Sequence, residues 1–153
     1  MDEREGGCLC GYVHYTVNGA PNVCVACHCT FCQRFTSSDY SLFAYFDQSQ
    51  VHLNTAVSEY VHHSDETGRA ITLQFCARCG VTVAVVAESR PDWVGIQIGT
   101  LDDKSGMHVQ RHVWTRSKQL GTVIPDDVDV YEKGSSGGAE PTRKASRRDS
   151  PSE

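Results

Sequence analysis

Phe75-Cys76-Ala77-Arg78-Cys79-Gly80-Val81-Thr82-Val83-Ala84-Val85-Val86 carries the two signals on which the fold turns. Its first half is a Cys-x-x-Cys turn, a spacing that lets two sulfurs converge on one tetrahedral ion. Gly80, following the second thiol, permits the positive-φ backbone such a turn uses. The second half runs through β-branched residues over a strand-like length. Together they predict a metal-binding turn leading into a sheet.

Working outward, Tyr12–Val17, Tyr40–Phe46, Val57–His62, Ala70–Phe75 and Trp93–Thr100 share that composition, with glycine, proline, aspartate and serine between them. No segment keeps a helical period over ten residues, and Leu101–Ser105 has room for a single turn. The expectation is an all-β domain of short strands over residues 1–133. From Gly134 onward there is no aliphatic residue larger than alanine and no aromatic. Residues 134–153 therefore read as a disordered polar tail, solvated apart from a weak basic patch at Lys144, Arg147 and Arg148 and a phosphosite-like run ending at Ser150.

Charge and composition exclude several classes. Residues 1–133 carry 10 basic and 16 acidic side chains, so the body repels phosphates and nucleic acid is not an expected partner. No apolar run approaches the ~20 residues of a membrane-spanning helix. The start, Met1-Asp2-Glu3-Arg4-Glu5, is acidic and polar with no apolar stretch after it, which leads to the expectation of a cytoplasmic, reducing compartment.

In such a compartment the eight cysteines are thiols, and they fall in three clusters: Cys8-x-Cys10, then Cys24, Cys27, Cys29 and Cys32, then Cys76-x-x-Cys79. Chance burial does not cluster this way, and metal binding is the expected role. Spacing allows two arrangements. In one, Cys8, Cys10, Cys76 and Cys79 close a four-thiolate site while Cys27, Cys29 and Cys32 make a site with three protein ligands. In the other, Cys24 joins the latter and closes it. The difference matters because a closed zinc is structural, whereas three ligands leave a position for water or substrate.

Gly6-Gly7-Cys8-Leu9-Cys10-Gly11, Cys27-His28-Cys29-Thr30-Phe31-Cys32-Gln33-Arg34 and Phe75-Cys76-Ala77-Arg78-Cys79-Gly80 resemble the three signatures of the glutathione-dependent formaldehyde-activating enzyme family, also called centromere protein V-like. Gly99–Asp103 and His112-Val113-Trp114 resemble weaker positions of the same family. The resemblance implies a coiled all-β, Mss4-like tent stapled by zinc. It also implies two zincs per chain, a structural one on Cys8, Cys10, Cys76 and Cys79 and a catalytic one on Cys27, Cys29 and Cys32. The implied activity is that of a carbon–sulfur lyase, or the reverse thiol addition, on a small thiol adduct. The default is glutathione plus formaldehyde giving S-hydroxymethylglutathione. The alternative is a zinc-stapled scaffold or binding module without catalysis. The chain departs from the family pattern at Gln33, where a basic residue is common, and after Ser117-Lys118, where a tryptophan is missing.

Other residues carry weaker signals. His28, between two ligand cysteines, is expected to turn away from the ion and bond to backbone or water. His62 and His63 should face opposite sides of a strand. His112 and Trp114 should share one strand face, packed or lining a cleft. Asp102-Asp103 reads as a solvated or capping pair rather than an acid/base device. Arg34 is a candidate for holding a substrate carboxylate or for a surface ion pair. No general base is named by the sequence.

Overall fold

The computed structural model describes residues 2–146. Its strands, in chain order, are β1 (Glu3–Gly7), β2 (His14–Asn18), β3 (Val23–Cys27), β4 (Ser41–Asp47), β5 (Val51–Leu53), β6 (Ser58–His63), β7 (Ala70–Phe75), β8 (Thr82–Ala87), β9 (Trp93–Gln97), β10 (Arg111–Val113) and β11 (Asp129–Val130), with one short helix, α1 (Thr30–Thr36). The architecture is all-β, of the Mss4-like class that the family resemblance implies. The chain divides into two compact units, one from residues 2–23 and 43–107, the other from 24–42 and 108–146.

The first unit holds a three-stranded antiparallel sheet, β1-β2-β5, and an antiparallel run β4-β9-β8-β7-β6. Alternation places β2 and β9, with Tyr15 and Val17 of β2 and Val94 and Ile96 of β9 buried, whereas β4 is covered on both faces, burying Phe43 and Ala44 as well as Phe46. β1, with the polar sequence Glu-Arg-Glu-Gly-Gly, has little strand propensity of its own and is held by its full register with β2. Gly6 faces Tyr15 in that register. A Cβ there would strike the Tyr15 ring and lie 2.6 Å from the Thr100 carbonyl oxygen, which accounts for glycine at this position. The Tyr15 hydroxyl meets Thr100 Oγ1 at 2.7 Å, and burial pushes its pKa up to about 12.

The second unit is built on β3, buried at every residue and paired in parallel with β10, which pairs in parallel with β11. The register sets His112 opposite Ala26 and Val113 opposite Cys27. α1 follows at once, and it is an element the hydrophobic pattern does not announce. Seven residues are too few to show a period. Local bonds define the helix instead: Cys29 Sγ accepts from the Cys32 N–H at 3.3 Å, and Ser37, in the left-handed region, closes the other end.

Residues 142–146, from the stretch read as a polar tail, return to this unit. The Thr142 N–H donates to the Val130 carbonyl and the Val130 N–H to the Arg143 carbonyl, the Ala145 N–H reaches Asp129 Oδ1 at 2.8 Å, and the Arg143 guanidinium donates to the Pro125 carbonyl. Arg147, Arg148 and Ser150 lie outside the described residues.

Candidate functional site

Two turns bring together the first cysteine set. Cys8 and Cys10 sit between β1 and β2, and Cys76 and Cys79 sit between β7 and β8. The turns repeat one another: the Cys8 N–H bonds the Val13 carbonyl and the Gly11 N–H the Cys8 carbonyl, while the Cys76 N–H bonds Val81 and the Gly80 N–H bonds Cys76. Gly11 and Gly80 both have φ near +80°, at 80° and 78°. Backbone N–H groups point at sulfur in each turn, Val13 to Cys8 at 3.2 Å and Arg78 to Cys76 at 3.3 Å. The Arg78 guanidinium stacks over the Tyr12 ring at 3.8 Å.

The four sulfurs lie within 4.8 Å of one another, with Cys8–Cys10 at 3.6 Å and Cys10–Cys76 at 3.7 Å. Four ligands at the zinc–sulfur length of ~2.3 Å stand about 3.8 Å apart on a tetrahedron, so this set fits a closed zinc. The sulfurs also polarise one another unevenly. The Val81 and Cys10 backbone N–H groups pull Cys79 down to about 6. At Cys10 the Tyr12 N–H favours the thiolate, but desolvation and the other three sulfurs outweigh it and push the pKa up to about 11.

The second set is Cys27, at the end of β3, Cys29, the residue capping α1, and Cys32, in its first turn. Their sulfurs also lie within 4.8 Å of one another. Cys27 and Cys32 are buried and Cys29 is half-buried. Hydrogen bonds from Cys27 and Cys32 draw the Cys29 pKa down to about 3; the bond to Cys29 raises that of Cys27, and the bonds to Cys27 and Cys29 raise that of Cys32. Sulfurs crowded in this way suit a thiophilic cation.

Cys24 is not in the set. It is three residues before Cys27 on β3, so strand alternation sends the two side chains to opposite faces. Cys24 is buried, and burial raises its thiol pKa.

His28 departs from expectation. It is fully buried, and its Nε2 meets His112 Nδ1 at 2.8 Å, with the Tyr40 ring 4.9 Å away. It therefore bonds to another side chain rather than to backbone or water, and its Nδ1 has no hydrogen-bond partner among the described residues. Desolvation, then the nearby His112 and Lys118, lower its pKa to about 4. Its backbone is held as well: the N–H bonds the Val113 carbonyl at 3.0 Å, and its carbonyl accepts from Gln33 Nε2 at 2.7 Å. That same amide nitrogen reaches the Ser117 carbonyl at 2.9 Å. The residue between two ligand cysteines is thus fixed through ring, N–H and C=O.

In the sequence Gln33 stands out only as a departure from a family pattern; its role as a clamp depends on Ser117, 84 residues away. His112 and Trp114 do not share a strand face, because β10 ends at Val113 and Trp114 adopts φ 57°. Asp103 accepts from the Ser105 N–H and hydroxyl and pairs with Arg4 at 3.1 Å, the capping role expected of it. Arg34 is exposed on α1. His62 and His63 lie on β6, in the other unit from the three-thiol set.

Replacing His112 with phenylalanine is expected to strand the buried His28 ring, costing about 1–3 kcal/mol of stability. It should also weaken metal binding at Cys27, Cys29 and Cys32, because the residue between the first two loses its ring anchor. Competition with a chromophoric chelator measures this, and the four-thiol site in the same sample provides the internal control.

Fold and clusters together define an all-β protein with two cysteine sets able to hold metal ions. The family model described as glutathione-dependent formaldehyde-activating enzyme matches residues 3–117, and the chain belongs to that family of enzymes. Among solved structures, a crystal structure of a Rhodobacter sphaeroides protein is similar in fold, with TM-score 0.52 and 22% identity over 64% of this chain and 87% of that one. Comparison with curated proteins gives no match. Among the described residues no helix is long and apolar enough to cross a membrane.

Proposed function

We propose that this chain is a zinc-dependent enzyme that joins the glutathione thiol to formaldehyde, or reverses that step as a carbon–sulfur lyase. The addition forms an S–C bond, opens the carbonyl π bond and moves the thiol proton to the carbonyl oxygen, with no change of oxidation state. The observation that carries the reading is the convergence of Cys27, Cys29 and Cys32 without Cys24, within the family match. Cys27, Cys29 and Cys32 would hold the zinc, which when bound there would supply Lewis acidity that favours the nucleophilic thiolate of a substrate thiol near neutral pH. Cys8, Cys10, Cys76 and Cys79 would hold a second, structural zinc.

The protein's own groups supply rigidity. β3 ends in Cys27, the clamped His28 fixes the turn to Cys29, and α1 presents Cys32 from its first turn. Burial of Cys27 and Cys32 leaves half-buried Cys29 as the most open edge of the set.

Metal analysis paired with an assay of adduct formation tests the proposal. Two zinc equivalents per chain and glutathione-dependent loss of formaldehyde are expected, and Cys24→Ser should keep both. One equivalent, or release of zinc by Cys24→Ser, would remove the open-site reading.

A further inference from the structure

β6 is the outer strand of its antiparallel run, and among the described residues no strand pairs with its far edge. The hairpin to β7 settles which backbone groups lie on that edge. The Ser64 N–H bonds the Arg69 carbonyl at 2.9 Å, so Ser64 and, by alternation, His62, Tyr60 and Ser58 face β7. The Ala70 carbonyl, opposite His63, is taken by the Glu88 N–H on the other side. Glu59, Val61 and His63 therefore turn their N–H and C=O groups outward.

Apart from the charge of Glu59, this edge lacks the usual protections against pairing. Ser58–His63 contains no proline, lysine or glycine, and the bulge of the run falls at Gln74/Phe75 on the inner strands. Tyr60 and Val61 are 59% and 47% exposed.

We propose that β6 pairs antiparallel with β6 of a second copy of this chain, with the twofold axis at Val61. A twofold pairing keeps opposed side chains on one face, and the outward backbone groups require an odd-numbered residue on the axis or odd residues paired. Centred on Val61, Glu59 stands opposite His63 of the second copy, twice, and Tyr60 stands opposite its His62, twice. Glu59 gives one carboxylate oxygen to Gln74 at 3.2 Å, which leaves the other for the imidazole. Centring on Tyr60 would set Glu59 against valine, and centring on His62 would set two imidazoles together. Only the Val61 register matches carboxylate to imidazole. The strand is short, so the dimer belongs to the weak class of interfaces, with Kd on the order of 10–100 μM.

Sedimentation equilibrium of the full chain tests this. The expected result is a monomer–dimer equilibrium in that range. Val61→Pro removes only an outward N–H, so it should abolish the dimer while leaving the circular dichroism spectrum intact. Glu59→His should weaken dimerisation at least tenfold, and E59H/H63E, which restores the opposition, should recover it. A wild-type chain that stays monomeric to ~1 mM overturns the proposal. So does a dimer that survives Val61→Pro.

Discussion

Cys29→Ser is expected to lower kcat/KM for the glutathione–formaldehyde reaction by about 10³-fold or more, a loss of roughly 4 kcal/mol, in line with removing a catalytic metal. It should release one metal equivalent of two and leave the chain folded. Serine isolates the effect because Cys29 has two separable jobs. Its sulfur accepts from the Cys32 N–H at 3.3 Å and caps α1, and a serine hydroxyl is among the preferred caps. What serine cannot do is gather negative charge: the sulfur whose pKa Cys27 and Cys32 draw down to about 3 becomes a hydroxyl that stays protonated. Cys29→Ala removes both roles and should cost a further ~1 kcal/mol of stability from the lost cap. Metal content, turnover and a thermal melt on the two variants separate these terms. A Cys29→Ser chain with full zinc and full turnover would show that the second cluster is not the reaction centre.

The strands with β-branched, alternating sequences were legible. Val57–His62, Ala70–Phe75, Val81–Ala87 and Trp93–Thr100 correspond to β6 through β9 within a few residues. What escaped had its structure set by partners rather than by pattern. β3 is buried at all five positions, so it shows no alternation, and its cysteines read as ligands before they read as a strand. β10 and β11 are three and two residues long and exist through their parallel pairing. At the candidate site, spacing alone made the cysteines visible but left Cys24 open, and the strand period of two then separates it from Cys27. The His28–His112 contact spans 84 residues, and no local spacing encodes it.

Cys76→Ser should destabilise the first unit severely. The residue is fully buried. Its N–H and carbonyl shape the β7–β8 turn, and its sulfur accepts from the Arg78 N–H and lies 3.7 Å from Cys10, 66 residues away in sequence. The ties between the β1–β2 and β7–β8 turns are what is lost. Closing so long a loop is worth ~4 kcal/mol when a covalent crosslink does it. A closed zinc on the four sulfurs would do it through binding free energy on the order of 10 kcal/mol, an alternative measure of the same tie and not an addition to it. Either figure is comparable to the ~5–15 kcal/mol that holds a whole domain together. The expected outcome is insoluble chain, or a Tm lowered by at least ~10 °C, since each kcal/mol shifts a domain of this size by about 2–4 °C. Excess chelator on the wild-type chain should reproduce the loss. The contrast with Cys29→Ser is the decisive comparison, because the two clusters lie in different compact units. If Cys76→Ser melts within two or three degrees of wild type, by about the margin of an ordinary surface change, the four-sulfur set is not what secures the first unit.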